Sequence, residues 1–210
     1  MYNIIFFGPQ GSGKGTQAKT ISKKINIPHI SSGDLLRNEI ENKTKLGVEI
    51  EKILDNGDLV PDSTINQIIK NRLENPDTQN GYILDGFPRT ISQAEFLDSF
   101  SKVNYVIEID IPKKVSIERL SYRYTCPKCG AIYHLKNVPP KQTGICDLCG
   151  TKLVRRDDDE PKAIEERLKI YHLRTEKLIN YYKEKNILYT VDGAKDANQV
   201  ATDILNLIQK

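Results

Sequence analysis

Near the start of the chain, Gly8-Pro9-Gln10-Gly11-Ser12-Gly13-Lys14 satisfies the G-x-x-x-x-G-K pattern of a phosphate-binding loop, directly after the apolar run Ile4-Ile5-Phe6-Phe7. Such a run, short and without alternation, reads as a strand buried on both faces. A strand covered on both faces needs helices on either side, so the loop should open a helix and the sheet should be parallel. Glycines let successive backbone N–H groups turn inward around phosphate oxygens, the following helix lends its positive end, and Lys14 adds a mobile charge. The site therefore wants a polyphosphate anion. The competing reading is a glycine-rich turn with a solvated lysine. Gly15 stands where many such loops carry Ser or Thr, with Thr16 one place later, which leaves direct hydroxyl ligation of Mg²⁺ open.

Further short apolar runs at Tyr82–Leu84, Tyr105–Ile109 and Ile187–Val191 alternate with helical stretches. Ile164, Leu168, Tyr171, Leu178 and Tyr182 recur at helical spacing and predict a helix over about Pro161 to Lys185, with the acidic run Asp157–Glu160 at its positive end. Val200, Ile204, Leu207 and Ile208 mark a closing helix. The expected architecture is α/β: a parallel sheet flanked by helices, with core segments 1–30, 61–121 and 160–210. Two stretches do not read as core. Residues 31–60 are polar and helical with little apolar depth, and residues 122–159 turn to Gly, Pro and Cys with scattered β-formers; both look like small insertions on the sheet.

All four cysteines fall in Cys126-Pro127-Lys128-Cys129 and Cys146-Asp147-Leu148-Cys149, the spacing of paired zinc knuckles. Gly130 and Gly150 follow the pairs and suit the tight turn that sets two thiolates on one side of a metal. Four protein ligands close a tetrahedral site and leave no position for substrate, so the expected Zn²⁺ is structural, replacing a core too small to stand alone. Iron in the same sulfur cage is the alternative metal. His134 is a competing ligand, against which stands a solvated or packed histidine.

The formal net charge is +3, with hydrophobic residues at 38% and charged ones at 28%. That balance suits a soluble globule and excludes a surface devoted to nucleic acid or anionic lipid. No run approaches a membrane span and no basic leader precedes the first strand, so the expected location is cytoplasmic.

The motifs Gly13-Lys14-Gly15-Thr16, Ser32-Gly33-Asp34-Leu35-Leu36-Arg37, Asp85-Gly86-Phe87-Pro88-Arg89 and Arg156-Asp157-Asp158 are spread from residue 13 to residue 158 of the chain. In order and spacing the sequence resembles the nucleoside monophosphate kinases, the adenylate kinases most of all. The resemblance implies a phosphate-loop core, a monophosphate-binding insertion near 31–60 and a zinc-binding lid near 122–159. It also implies the reaction: reversible phosphoryl transfer from Mg-ATP to AMP, giving two ADP, by an enzyme expected to be monomeric. By resemblance, Gly11, Ser12, Gly13, Lys14, Gly15 and Thr16 cradle the ATP phosphates, and Arg119, Arg123, Ile132, Tyr133 and Lys195 surround the ATP. Ser32, Arg37, Asp58, Leu59, Val60, Gly86, Phe87, Pro88, Arg89 and Gln93 match the AMP pocket, with Ser32 standing where the family more often has Thr. Arg156 and Arg167 match arginines that reach over the phosphates.

Residue chemistry points the same way. A monophosphate oxygen is already anionic, so phosphoryl transfer needs positioning and charge neutralisation rather than a strong base. Arginine's planar fork holds phosphate oxygens bidentately and stays charged. Lys14, Arg37, Arg89, Arg123, Arg156 and Arg167 are the expected cations, and Asp85 ends a strand where a carboxylate can orient metal-bound water. Two other readings stay open. One is a phosphate-loop NTPase gripping nucleic acid through a zinc ribbon with Lys128, Lys136, Lys141, Lys152, Arg155 and Arg156. The other is a kinase for another acceptor base.

Overall fold

The structure, a computed structural model, describes residues 1–55, 60–155 and 159–209. Five strands form one parallel sheet: β1 (Tyr2–Phe7), β2 (His29–Ser31), β3 (Gly81–Asp85), β4 (Tyr105–Asp110) and β7 (Leu188–Asp192), in the order β2-β3-β1-β4-β7. β1 is central because both its faces are apolar. Ile4 and Phe6 point to one side, with Ile83, Ile107 and Ile109, against helices α1 (Lys14–Ile25) and α8 (Ala197–Ile208). Ile5 and Phe7 point to the other, with Leu84 and Val106, against α4 (Asp62–Leu73), α5 (Ile91–Asp98) and α7 (Pro161–Glu184). The period-2 alternation of β1 thus feeds two cores instead of one core and solvent.

The chain leaves β1 for β2 and β3 on one side, then crosses to β4 and β7 on the other. The loop after β1 therefore sits at the switch point of strand order, at the carboxyl ends of the strands, where open α/β sheets take their ligands. Residues Phe6, Asp85 and Ser31 lie in register across β1, β3 and β2, so the segments after all three emerge side by side.

Between β2 and α4 stand α2 (Ser32–Glu41) and α3 (Lys45–Asp55). The Ser31 side chain caps α2 by accepting from the Asp34 amide. This segment is less shallow than its polar sequence suggests, since Ile50 is fully buried. Between α6 (Lys113–Ser121) and α7 the chain forms the antiparallel pair β5 (Arg123–Thr125) and β6 (Ile132–His134). Bridges from Thr125 to Val154 and from Ile145 to Lys152 close this small unit. Its own core comprises Cys126, Tyr133, Cys146 and Leu153. The edge strand β2 escapes the sequence reading, because three residues with one buried isoleucine carry no periodic signal. Among the described residues no helix is long and apolar enough to cross a membrane.

Candidate functional site

Gly8 ends β1 at φ 143°, a conformation that L side chains rarely adopt, and a Cβ there would fall 2.4 Å from the Ile109 carbonyl oxygen. Only glycine lets the chain turn away from the sheet at this point. The loop then closes on itself, with the Ser12 amide donating to the Pro9 carbonyl at 3.1 Å, and Gly13 forms the N-terminal cap of α1 without a side-chain cap. Helix α6 braces it from outside: Ser116 Oγ donates to the Gln10 carbonyl, and Arg119 Nη1 lies 3.4 and 3.5 Å from the Gly11 and Ser12 carbonyls.

Lys14 Nζ donates to the Gly8 and Pro9 carbonyls at 2.5 and 2.9 Å. Desolvation pushes its pKa down to about 8; Asp85 opposes that, and Arg89, Arg167 and Arg123 add to it. The three arginines come from different elements, the turn after β3, α7 and β5, yet all bear electrostatically on one ammonium. Asp85 closes β3 beside the loop. Burial raises its pKa, but His29, with Nε2 3.7 Å from Oδ2, together with Lys14 and Arg89 more than offsets this and holds the carboxyl below its usual range. A Cβ on Gly15 would lie 3.4 Å from Asp85 Oδ2, so the space of the usual loop hydroxyl faces this carboxylate. The arrangement concentrates positive charge around the glycine loop, with the ionised Asp85 carboxylate at its edge.

The turn after β3 bends at Gly86, φ 79°, where a Cβ would meet Ser32 Oγ at 2.8 Å. Ser32 Oγ donates to the Gly86 carbonyl at 2.8 Å, and Arg89 Nε donates to the same oxygen at 2.7 Å. Phe87 goes into the core, 1% exposed, and Pro88 is buried beside it, so both shape the turn rather than offer side chains to a ligand. Gln93 is buried and accepts from the Arg89 amide through Oε1 at 2.6 Å. Arg37 pairs with Asp34 one turn earlier on α2. Val60 is half-buried at the entry to α4, whereas Asp58 and Leu59 lie outside the described residues.

Arg123 holds Asp159 through two hydrogen bonds, Nε to Oδ2 at 2.7 Å and Nη2 to Oδ1 at 2.5 Å; Arg167 Nη1 stands 3.6 Å from the same carboxylate. Asp159 is fully buried. In the sequence, Asp159 reads only as part of the acidic run at the positive end of α7. Its pairing across 36 residues with Arg123 has no local signal. Asp62, which binds Gln93, and His29, beside Asp85, were missed for the same reason. Arg156 lies outside the described residues. Lys195 Nζ is bound to Asp203 at 2.9 Å on α8, and Ile132 is exposed on β6. Tyr133 turns inward, with its hydroxyl accepting from the Asp147 amide at 2.8 Å and lying 3.5 Å from Cys146 Sγ.

The four cysteine sulfurs lie within 4.8 Å of one another, and two close pairs cross between the knuckles: Cys126 to Cys149 at 3.4 Å and Cys129 to Cys146 at 3.5 Å. A tetrahedral Zn²⁺ with Zn–S near 2.3 Å places its sulfurs about 3.8 Å apart, so the set fits the metal. The Tyr133 hydroxyl leads in lowering the Cys146 thiol to about 6, whereas desolvation and the three neighbouring thiols push Cys129 up to about 12, so the four sulfurs do not ionise alike without a metal. His134 is not part of this set. Its Nδ1 accepts from the Lys136 and Asn137 amides at 3.3 and 3.1 Å, and its ring packs on Tyr122.

Comparison with known proteins agrees with this construction. The sequence profile of the adenylate kinase family matches residues 6–187. Proteins named adenylate kinase from Clostridium tetani (50% identical over 211 residues, 98% of each chain) and Archaeoglobus fulgidus (47% over 213 residues, 99% of this chain and 98% of the relative) align along nearly the full length. One from Thermosipho africanus is 44% identical over 213 residues, 99% of this chain and all of the relative. A phosphate loop at the switch point, a carboxylate and arginines gathered on it, and near-complete alignment with these relatives leave one conclusion: the chain belongs to the adenylate kinase family.

Proposed function

We propose that the chain catalyses reversible phosphoryl transfer from Mg-ATP to AMP, giving two ADP, at the carboxyl edge of the sheet. The observation that carries this is the gathering of Arg89, Arg123 and Arg167, from three separate elements, around Lys14 and the loop it closes. Cations so placed neutralise the charge spread over the transferring group's oxygens, and arginines in that role supply about 10³ to 10⁵ in rate in related chemistry. The loop from Gly11 to Thr16 takes the ATP phosphates by its backbone N–H groups, and Lys14 exchanges its two carbonyl partners for them. Arg119, Ile132, Tyr133 and Lys195 complete the ATP side in this reading, and Arg156 joins Arg123 and Arg167 over the phosphates. Ser32, Arg37, Asp58 to Val60, Gly86 to Arg89 and Gln93 form the acceptor side. Mg²⁺, arriving with ATP, screens the phosphates' mutual repulsion. Asp85, ionised beside the loop, is the group to orient its waters.

Residues 31–60 act in this proposal as the monophosphate-binding insertion and residues 122–159 as a lid, the remainder as core. Closure of both excludes water that would otherwise hydrolyse ATP. The zinc in the four-cysteine site cross-links the two knuckles and stays out of the reaction. Four free thiols gathered for a metal suit a reducing compartment, and we place the enzyme in the cytoplasm. We propose that it acts as a monomer.

The test is a coupled assay of ATP against AMP, GMP, CMP and UMP, repeated with Lys14→Ala. Selective turnover of AMP, reduced at least about 10³-fold by the substitution with the thermal midpoint unchanged, is the expected result. Near-normal rates in the variant would contradict the assignment.

A further inference from the structure

Gln93 is 2% exposed, and both ends of its amide are fixed by groups with a single hydrogen-bonding sense. Oε1 accepts from the Arg89 backbone N–H at 2.6 Å, and Nε2 donates to Asp62 Oδ1 at 2.6 Å. A backbone N–H can only donate and a carboxylate only accepts. The amide therefore cannot turn over without setting N–H against N–H at one end and oxygen against oxygen at the other. Asp62 is anchored in its turn: Oδ2 accepts from Thr90 Oγ1 at 2.7 Å, and Thr90 Oγ1 also accepts from the Gln93 backbone N–H at 3.2 Å, capping α5. The first turn of α4 and the residues that lead into α5 thus lock one side chain.

We infer that Asp62 is a positioning residue that sets acceptor-base specificity by fixing which way the Gln93 amide faces. The inference rests on the reading above that Gln93 faces the acceptor base. With Oε1 and one Nε2–H committed to protein, the amide keeps one N–H donor at a fixed place. A base with an unprotonated ring nitrogen there, as adenine has at N1, accepts it. Hypoxanthine and guanine carry a hydrogen on N1, so donor meets donor. Accepting that hydrogen would require the amide to flip, which Asp62 and the Arg89 amide together forbid. Discrimination arises from the mismatch imposed on the wrong base, beyond the contact made to the right one. IMP is the cleanest probe, since it differs from AMP only on this edge of the base.

Asp62→Asn keeps the shape but can present either an oxygen or an NH₂ to Gln93, so the amide loses its fixed sense. The expected result is a rise in the KM for AMP of roughly three- to tenfold with kcat changed by less than about twofold. The AMP-over-IMP ratio of kcat/KM should fall at least about fivefold, with the KM for ATP unchanged. Thr90→Val separates specificity from stability: it removes the helix cap and the other carboxylate partner but leaves both bonds of the Gln93 side-chain amide. It should lower the thermal midpoint and leave the AMP-over-IMP ratio intact. If Asp62→Asn alters AMP and IMP in equal proportion, or if Thr90→Val shifts the ratio as much, Asp62 is only structural and the inference fails. Gln93→Ala tests the underlying reading separately. An unchanged KM for AMP in that variant would remove Gln93 from the acceptor pocket, whereas a raised KM with no ratio change in Asp62→Asn sinks the inference alone.

Discussion

At the scale of single residues, Lys14 carries the sharpest prediction. Its pKa of about 8 arises because burial and three arginines oppose its charge more strongly than Asp85 supports it. The free enzyme must hold Lys14 protonated to attract phosphate, and the proton leaves as pH rises through about 8. The sign is therefore a fall in kcat/KM for ATP on the alkaline side, since this parameter reports free-enzyme ionisations. Bound triphosphate favours the ammonium, so kcat at saturating ATP should stay flat to higher pH. Lys14→Arg, which does not titrate in this range, should lose that alkaline limb even at reduced rate; an identical limb in the variant would assign it to another group. Lys14 was legible in the sequence because the loop is contiguous and its chemistry is local. Asp159 and Asp62 were not, because a carboxylate's partner 36 or 31 positions away leaves no mark on its own neighbourhood.

Among the elements, what could be read was whatever buries two faces or repeats at a fixed period. β1, β3, β4 and β7 announced themselves as apolar runs, and α7 as a stripe of Ile164, Leu168, Tyr171, Leu178 and Tyr182, of which all but the half-buried Tyr171 are buried. β2 was hidden because pairing along one side and the Ile83 amide bonded to the Pro28 carbonyl hold it in place, with little help from its own side chains. The β5–β6 unit was legible through its cysteines alone. Its own core holds two of those cysteines, one tyrosine and one leucine. A unit so thin depends on its metal, and metal-binding free energy is folding free energy in such modules. Cys129→Ser should therefore lower the thermal midpoint by about 5 °C or more, each kcal/mol being worth roughly 2–4 °C in a chain this long. Chelation of the wild-type metal should do the same, while turnover at low temperature persists. A metal-free protein that is as stable as the holoprotein but inactive would give the zinc a chemical role instead.

For the molecule as a whole, the candidate site lies where several elements meet. The sheet's switch point presents the loop, the proposed lid brings Arg123, and α7 brings Arg167 to the same buried Asp159. The proposed lid also touches α1 directly: Lys19 Nζ, on the exposed face of that helix, donates to the Gly130 carbonyl just after the first knuckle at 3.1 Å. α1 is the helix that the phosphate loop opens, so this bond couples lid position to the element carrying Lys14. An exposed hydrogen bond of this kind contributes about 0.5–1.5 kcal/mol, enough to shift a lid equilibrium roughly two- to tenfold. Because the bond forms only with the lid against α1, its loss should favour the open form. Lys19→Met keeps most of the stem and removes the donor. The KM for ATP should rise two- to tenfold in this variant, with kcat unchanged or higher if lid opening limits turnover. The acceptor side should be unaffected, because Lys19 lies on α1, away from Ser32, Gln93 and the turn at Gly86. A KM for AMP that rises in step with that for ATP would mean that Lys19 supports the fold at large, and an unchanged KM for ATP would mean that the contact does not hold the lid.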